Sequence, residues 1–132
     1  MKHLFILLLL PFATSCNRSL EPDPEPVAHT FLSVYFQLDY DQIRTLCLSG
    51  SVLQSDMERN AQTFSGYPAE IRDQLRNDLT AYSFSIEKVY VNRAKDSAFV
   101  TYTIFTPEIP SGVESRLTLT KEEKEWKVAK LL

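Results

Sequence analysis

The sequence has no cluster of basic residues, only two cysteines and two histidines, and a leading apolar run too short to cross a membrane. With a formal net charge of −3 and no positive stripe, the chain lacks the electrostatic footprint that nucleic acid requires. No third ligand accompanies the paired acids Asp39 and Asp41, so no metal site is assigned. One histidine, His3, sits in the leading segment. That leaves His29 as the single imidazole for proton transfer, and no nucleophile or second base accompanies it.

What is present begins at the N-terminus. Lys2 and His3 precede an unbroken apolar core, Leu4 to Leu10, followed by Pro11, Phe12 and small residues. That order is a secretory signal. A helix from Leu4 to Ala13 reaches about 15 Å at ~1.5 Å per residue, against a hydrocarbon core of about 30 Å. Ala13-Thr14-Ser15-Cys16 resembles a bacterial lipobox, with Ala13 where Leu is usual. That resemblance implies diacylglyceryl transfer to the Cys16 thiol, cleavage in front of it, and acylation of the new amine. A plain secretory cut is the alternative. Two or three acyl chains anchor firmly, because each buried CH₂ contributes about 0.8 kcal/mol.

The expected organisation is therefore a lipoprotein signal peptide over 1–15, a lipidated Cys16 with a linker over 16–26, and one domain over 27–132. Asn17 to Pro26 alternates prolines with acids, which favours an extended polyproline spacer. If Cys16 carries lipid, Cys47 has no disulfide partner. Cys47 continues the apolar face of Ile43 and Leu46, so burial is expected.

The first half of the domain reads as helical. Val27, Phe31, Val34 and Leu38 recur at helical spacing, with Thr30, Ser33 and Gln37 opposite and His29 at the edge beside Phe36. Asp39-Tyr40-Asp41 breaks the pattern, and Asp41 is expected to cap a short second helix. Ser49-Gly50-Ser51 reads as a turn, and Ser55 with Glu58 has capping-box spacing. Pro68 opens a further helix with Ile71, Leu75 and Leu79 on one face. Its charges, Arg72 and Arg76 included, read as a solvated face.

From Tyr82 the period changes to 2. Phe84 and Ile86 lie on one parity and Val89 and Val91 on the other, which predicts a bulge near Glu87-Lys88. Ala98, Val100, Tyr102 and Ile104 alternate with Phe99, Thr101, Thr103 and Phe105, predicting cover on both faces of that strand. Leu117 and Leu119, then Trp126 and Val128, supply two more inner faces around a charged turn at Lys121 to Glu125. Helices followed by about four strands in a meander define an α+β domain.

Three features together resemble the nuclear-transport-factor-2-like superfamily. They are Pro26-Val27-Ala28 opening an aromatic-rich helix, the Leu38-Asp39-Tyr40-Asp41 break, and a meander ending Leu119-Thr120-Lys121…Glu125-Trp126-Lys127-Val128. This is the cone-shaped fold also found in ketosteroid isomerases and polyketide cyclases. More narrowly, the chain resembles small lipoproteins of this fold from Bacteroidetes. Gly50 to Thr80 departs from the pattern, reading as helical where many members place a strand pair. The resemblance implies a curved sheet wrapping a long helix, with a pocket, a binding site or simply a core between them. Fold does not choose among these.

The expectation is a non-enzymatic binding or assembly module without a cofactor. It would be held to the bacterial cell envelope by lipid on Cys16, on the periplasmic side of the outer membrane or at the cell surface. Its partner would be a small apolar ligand or an envelope protein. The alternatives are an isomerase- or cyclase-like enzyme, with Asp41 as base and Tyr82 or Tyr102 as donors, and an inhibitor or immunity-type protein. No catalytic residue is assigned. Whether Val100, Tyr102, Leu117 and Trp126 fill the cone separates the classes.

Overall fold

The computed structural model describes residues 22–132. Four helices come first: α1 Pro24–Phe36, α2 Tyr40–Leu46, α3 Val52–Ser65 and α4 Ala69–Leu79. Four strands follow: β1 Ser83–Val91, β2 Ser97–Phe105, β3 Val113–Glu122 and β4 Glu125–Leu131. The strands pair in chain order as one antiparallel sheet, so the α+β class and the meander are those expected. Residues 52–79 hold the two helices their pattern predicts.

Three of the four helices start where a side chain accepts from an orphan N–H group, while α4 follows Pro68 without a side-chain cap. Asp23 caps α1, accepting from Glu25 N at 2.9 Å, and the prolines at 24 and 26 fit a first turn that needs no N–H donors. This corrects the boundary expected at Val27. Pro24 is buried, and Trp126 Nε1 donates to Pro22 O at 2.5 Å, so the last residues of the expected spacer belong to the domain. The cap of α2 is Asp39, not Asp41; its carboxylate accepts from Gln42 N and Gln42 Nε2. Asp41 lies in the first turn and pairs with Arg44. The chain can bend into that cap because Leu38 adopts a left-handed φ of 54°. The α3 cap is Ser51, four residues earlier than Ser55. Its hydroxyl accepts from Gln54 N, and Gln54 Oε1 accepts from Gly50 N. Gln54 thus reaches back past the cap residue to Gly50, where the chain turns at φ 73°.

The core lies between α1, α2, α3 and the inner face of the sheet. Ala28, Phe31 and Leu32 of α1 meet Ile43, Met57, Val100, Tyr102, Leu117, Leu119 and Val128. Full burial of one such aliphatic or aromatic side chain stabilises by about 1.5–3 kcal/mol. In β1 the pairing slips between Ile86 and Lys88, so Glu87 is the extra residue of the expected bulge. Phe84 and Ile86 face inward before it and Val89 after it. A second slip, at Thr118/Leu119 against β4, leaves Ala129 unpaired. Both bend the sheet around α1.

The other face of β2 is covered only in part, less than expected. Phe99 is 47% exposed and stacks on Tyr90, while Thr101, Thr103 and Phe105 on the same face are half-buried; α1 and α3 pack on the inner face. The β4 edge is closed by the segment after α2. Leu48 N donates to Val128 O, Cys47 bridges Val128, and Lys127 Nζ donates to Thr45 O. The expected turn at Lys121 to Glu125 shrinks to Glu123-Lys124, both at positive φ (49° and 69°). These are the dihedrals of a two-residue primed hairpin turn.

Candidate functional site

The space between the helices and the inner face of the sheet is filled. Val100, Tyr102, Leu117 and Trp126 are 0%, 2%, 1% and 3% exposed. None of the buried side chains among the described residues is charged. Open space lies instead at the rim, around α4. Ile71, Leu75 and Leu79 repeat at helical spacing, yet no residue of α4 is buried. Ile71 is 42% exposed, while Leu75 and Leu79 are half-buried against clefts rather than against the core.

Three clefts surround this helix. The first, about 530 Å³, lies between α1, the end of α4 and the start of β1, and is lined by His29, Ser33, Phe36, Leu79, Tyr82 and Phe84. The second, about 440 Å³, is lined by Tyr40, Phe64, Tyr67, Leu75, Leu79 and Tyr82. The third, about 290 Å³, is lined by Asp39, Tyr40, Asp41, Arg44, Phe64, Arg72 and Arg76. They adjoin: Leu79 and Tyr82 line the first two, Tyr40 and Phe64 the last two, and Arg76 the first and third.

Ring packing forms the walls. Phe36 stacks on Phe84 at 6.0 Å and tilts against Tyr82 at 6.1 Å. His29 is exposed and meets Phe84 edge-on at 5.1 Å, at the mouth of the first cleft. Tyr40 contacts Phe64 at 5.4 Å. Arg76 Cζ lies 5.0 Å over the Phe64 ring, an attraction of cation to aromatic face. Burial raises the Tyr40 pKa above its usual value, with Tyr35 and Tyr67 adding to the effect. Tyr40 is therefore a neutral phenol at any physiological pH.

The residues considered earlier are dispersed. Asp41 is exposed in the third cleft and paired with Arg44, while Tyr82 lines the first and second. Tyr102 is in the core. Burial raises its pKa, a hydrogen bond with Ser115 opposes that, and nearby Tyr35 adds to it. The fold thus does not bring Asp41 together with either tyrosine. Cys47 is 2% exposed with its Sγ donating to Ile43 O at 3.3 Å. Burial pushes this thiol up to about 11, with Lys127 pulling weakly the other way. Cys16 and the signal segment lie outside the described residues. No helix among those described is long and apolar enough to cross a membrane, and no group of three or more His, Cys, Asp or Glu among them could hold a metal ion.

Two arginines that read as a solvated face belong to the site. Arg72 and Arg76 are four apart, hence on one side of α4, and both line the third cleft. Arg72 Nε is shielded from solvent and donates to no acceptor among the described residues. The available signal was the i,i+4 arginine pair flanking a narrow apolar stripe, but which way that stripe faces is not written in α4 itself.

No protein-family model matches the chain, and no curated protein matches it. Among solved structures it is similar to a Streptomyces avermitilis member of the NTF2-like family, provisionally called a dehydratase. The identity is 15%, with 81% of this chain and 89% of that one covered and a TM-score of 0.45. No residue or chemistry of that protein is transferred to this chain.

Proposed function

We propose that this chain is a lipid-anchored envelope protein whose nuclear-transport-factor-2-like domain is a non-enzymatic binding module, with the clefts around α4 as its site. One observation carries the reading: the cone interior is closed by Val100, Tyr102, Leu117 and Trp126, while adjoining aromatic clefts of about 530 and 440 Å³ open at the rim. Concave, mostly apolar sites with a few convergent polar groups are where small ligands bind. Lipid on Cys16 holds the domain on the periplasmic side of the outer membrane. Surface display is the less favoured address, since Asn17-Arg18-Ser19-Leu20 separate Cys16 from the first acid, Glu21. Native mass spectrometry of the protein released gently from its host membrane tests the binding role. A retained small molecule is expected, and a clean apo monomer from every preparation would count against it. A Cys16→Ala protein that still pellets with membranes would remove the anchor from the reading.

A further inference from the structure

We infer that the site around α4 takes an aromatic carboxylic acid, its ring in the cleft of Tyr40, Phe64, Tyr67 and Tyr82 and its carboxylate on Arg72 and Arg76. This rests on the cleft reading above and adds the chemistry of the ligand. Charge supplies the first argument. On a chain of net charge −3, the third cleft gathers three arginines against two aspartates. Arg44 is held by Asp41, and Asp39 accepts from Gln42. Among the described residues neither Arg72 nor Arg76 is ion-paired.

The second argument is the orphan donor. A shielded N–H without an acceptor is costly, and Arg72 Nε is one. A carboxylate accepts from guanidinium N–H groups in pairs, which is the geometry that relieves it. A single negative charge suits the balance, because a dianion would also face Asp39 and Asp41. The third argument is the wall. The second cleft adjoins the arginines through Tyr40 and Phe64, and four of its lining side chains are rings. Ring-on-ring contacts add to what simple area burial supplies. An acid with an aryl body therefore reaches both the rings and the arginines, with its head at Arg76 beside Phe64.

The test is an amide chemical-shift titration of the full chain in lipid nanodiscs, with hydrocinnamate and hydrocinnamyl alcohol as probes and empty nanodiscs as the blank. Hydrocinnamate is expected to shift amides of α4 and the start of β1, and to bind at least tenfold more tightly than the alcohol. Arg72→Gln and Arg76→Gln, made singly, keep a good helix former. Each should weaken the acid by about tenfold or more, as loss of a charge-assisted hydrogen bond does, and leave the alcohol unchanged. Arg116→Gln, on the outer face of the sheet, should change neither. Equal binding of acid and alcohol at these amides overturns the carboxylate inference and leaves the cleft reading standing. Binding of neither probe, with the variant and parent spectra both folded, overturns both.

Discussion

Two glycines at positive φ differ in one respect, and the difference sets up a measurement. Gly50 has φ 73° and Gly112 φ 87°. A Cβ built on Gly50 meets nothing within 4 Å. A Cβ on Gly112 would sit 2.9 Å from Phe105 Cε1 and closer still to Thr103 Cγ2. Substitution by alanine costs both sites the left-handed penalty, about 1–2 kcal/mol. Gly112 adds forced overlap in a packed region, about 1–3 kcal/mol more. Gly50→Ala should therefore destabilise by about 1–2 kcal/mol and Gly112→Ala by about 2–5 kcal/mol. A domain of this size has about 5–15 kcal/mol in total, so the second loss is large. Urea unfolding followed by circular dichroism measures both, and the slope should stay constant if only native-state strain changes. Thr103→Ser removes the methyl that is nearest and should recover part of the Gly112→Ala loss while leaving Gly50→Ala untouched. Equal losses at the two glycines, or no recovery from Thr103→Ser, would refute the steric argument.

Three further outcomes are expected. Lys124→Gly should stabilise by up to about 1 kcal/mol, because relief of the left-handed penalty of about 1–2 kcal/mol at φ 69° outweighs the added unfolded-state entropy of glycine, about 0.4–1 kcal/mol; thermal melts check it. Asp39→Ala should destabilise by about 0.5–2 kcal/mol through loss of the α2 cap, and Asp41→Ala by far less, since its partner Arg44 is an exposed i,i+3 contact. The Cys47 thiol titrates near its ordinary 9 when unfolded and at about 11 when folded. The unfolded chain therefore loses its proton first, and stability should fall as pH rises from 9 toward 11. Cys47→Ala should flatten that part of the profile in denaturant titrations, and native Cys47 should resist alkylation at pH 8.

Most of the fold was readable because burial here follows regular periods. The change from period 3.6 to 2 at Tyr82 located the boundary between helices and strands. The parity switch after Ile86 located the bulge at Glu87. Caps were harder. Asp39 and Asp41, or Ser51 and Ser55, are chemically alike, and which one caps depends on where Leu38 and Gly50 turn the chain. The start of α1 was misplaced because proline and acid look like a spacer. What makes Pro24 part of the domain is Trp126, more than 100 residues away, binding the carbonyl of Pro22.

The sequence by itself determined the α+β order, the inner faces of the strands, the burial of Cys47 and the short apolar segment ahead of Cys16. These depend on local pattern and composition, which any stretch of chain carries within itself. Only the tertiary structure decided that the space between helices and sheet is filled, that Phe99 on the outer face of β2 stands exposed, and that α4 borders clefts instead of joining the core. Those outcomes depend on how volumes from distant elements add up in space. The same cause moved Arg72 and Arg76 from a solvated face to the rim of an aromatic cleft, since a helical stripe shows what can be buried but not what will lie opposite it.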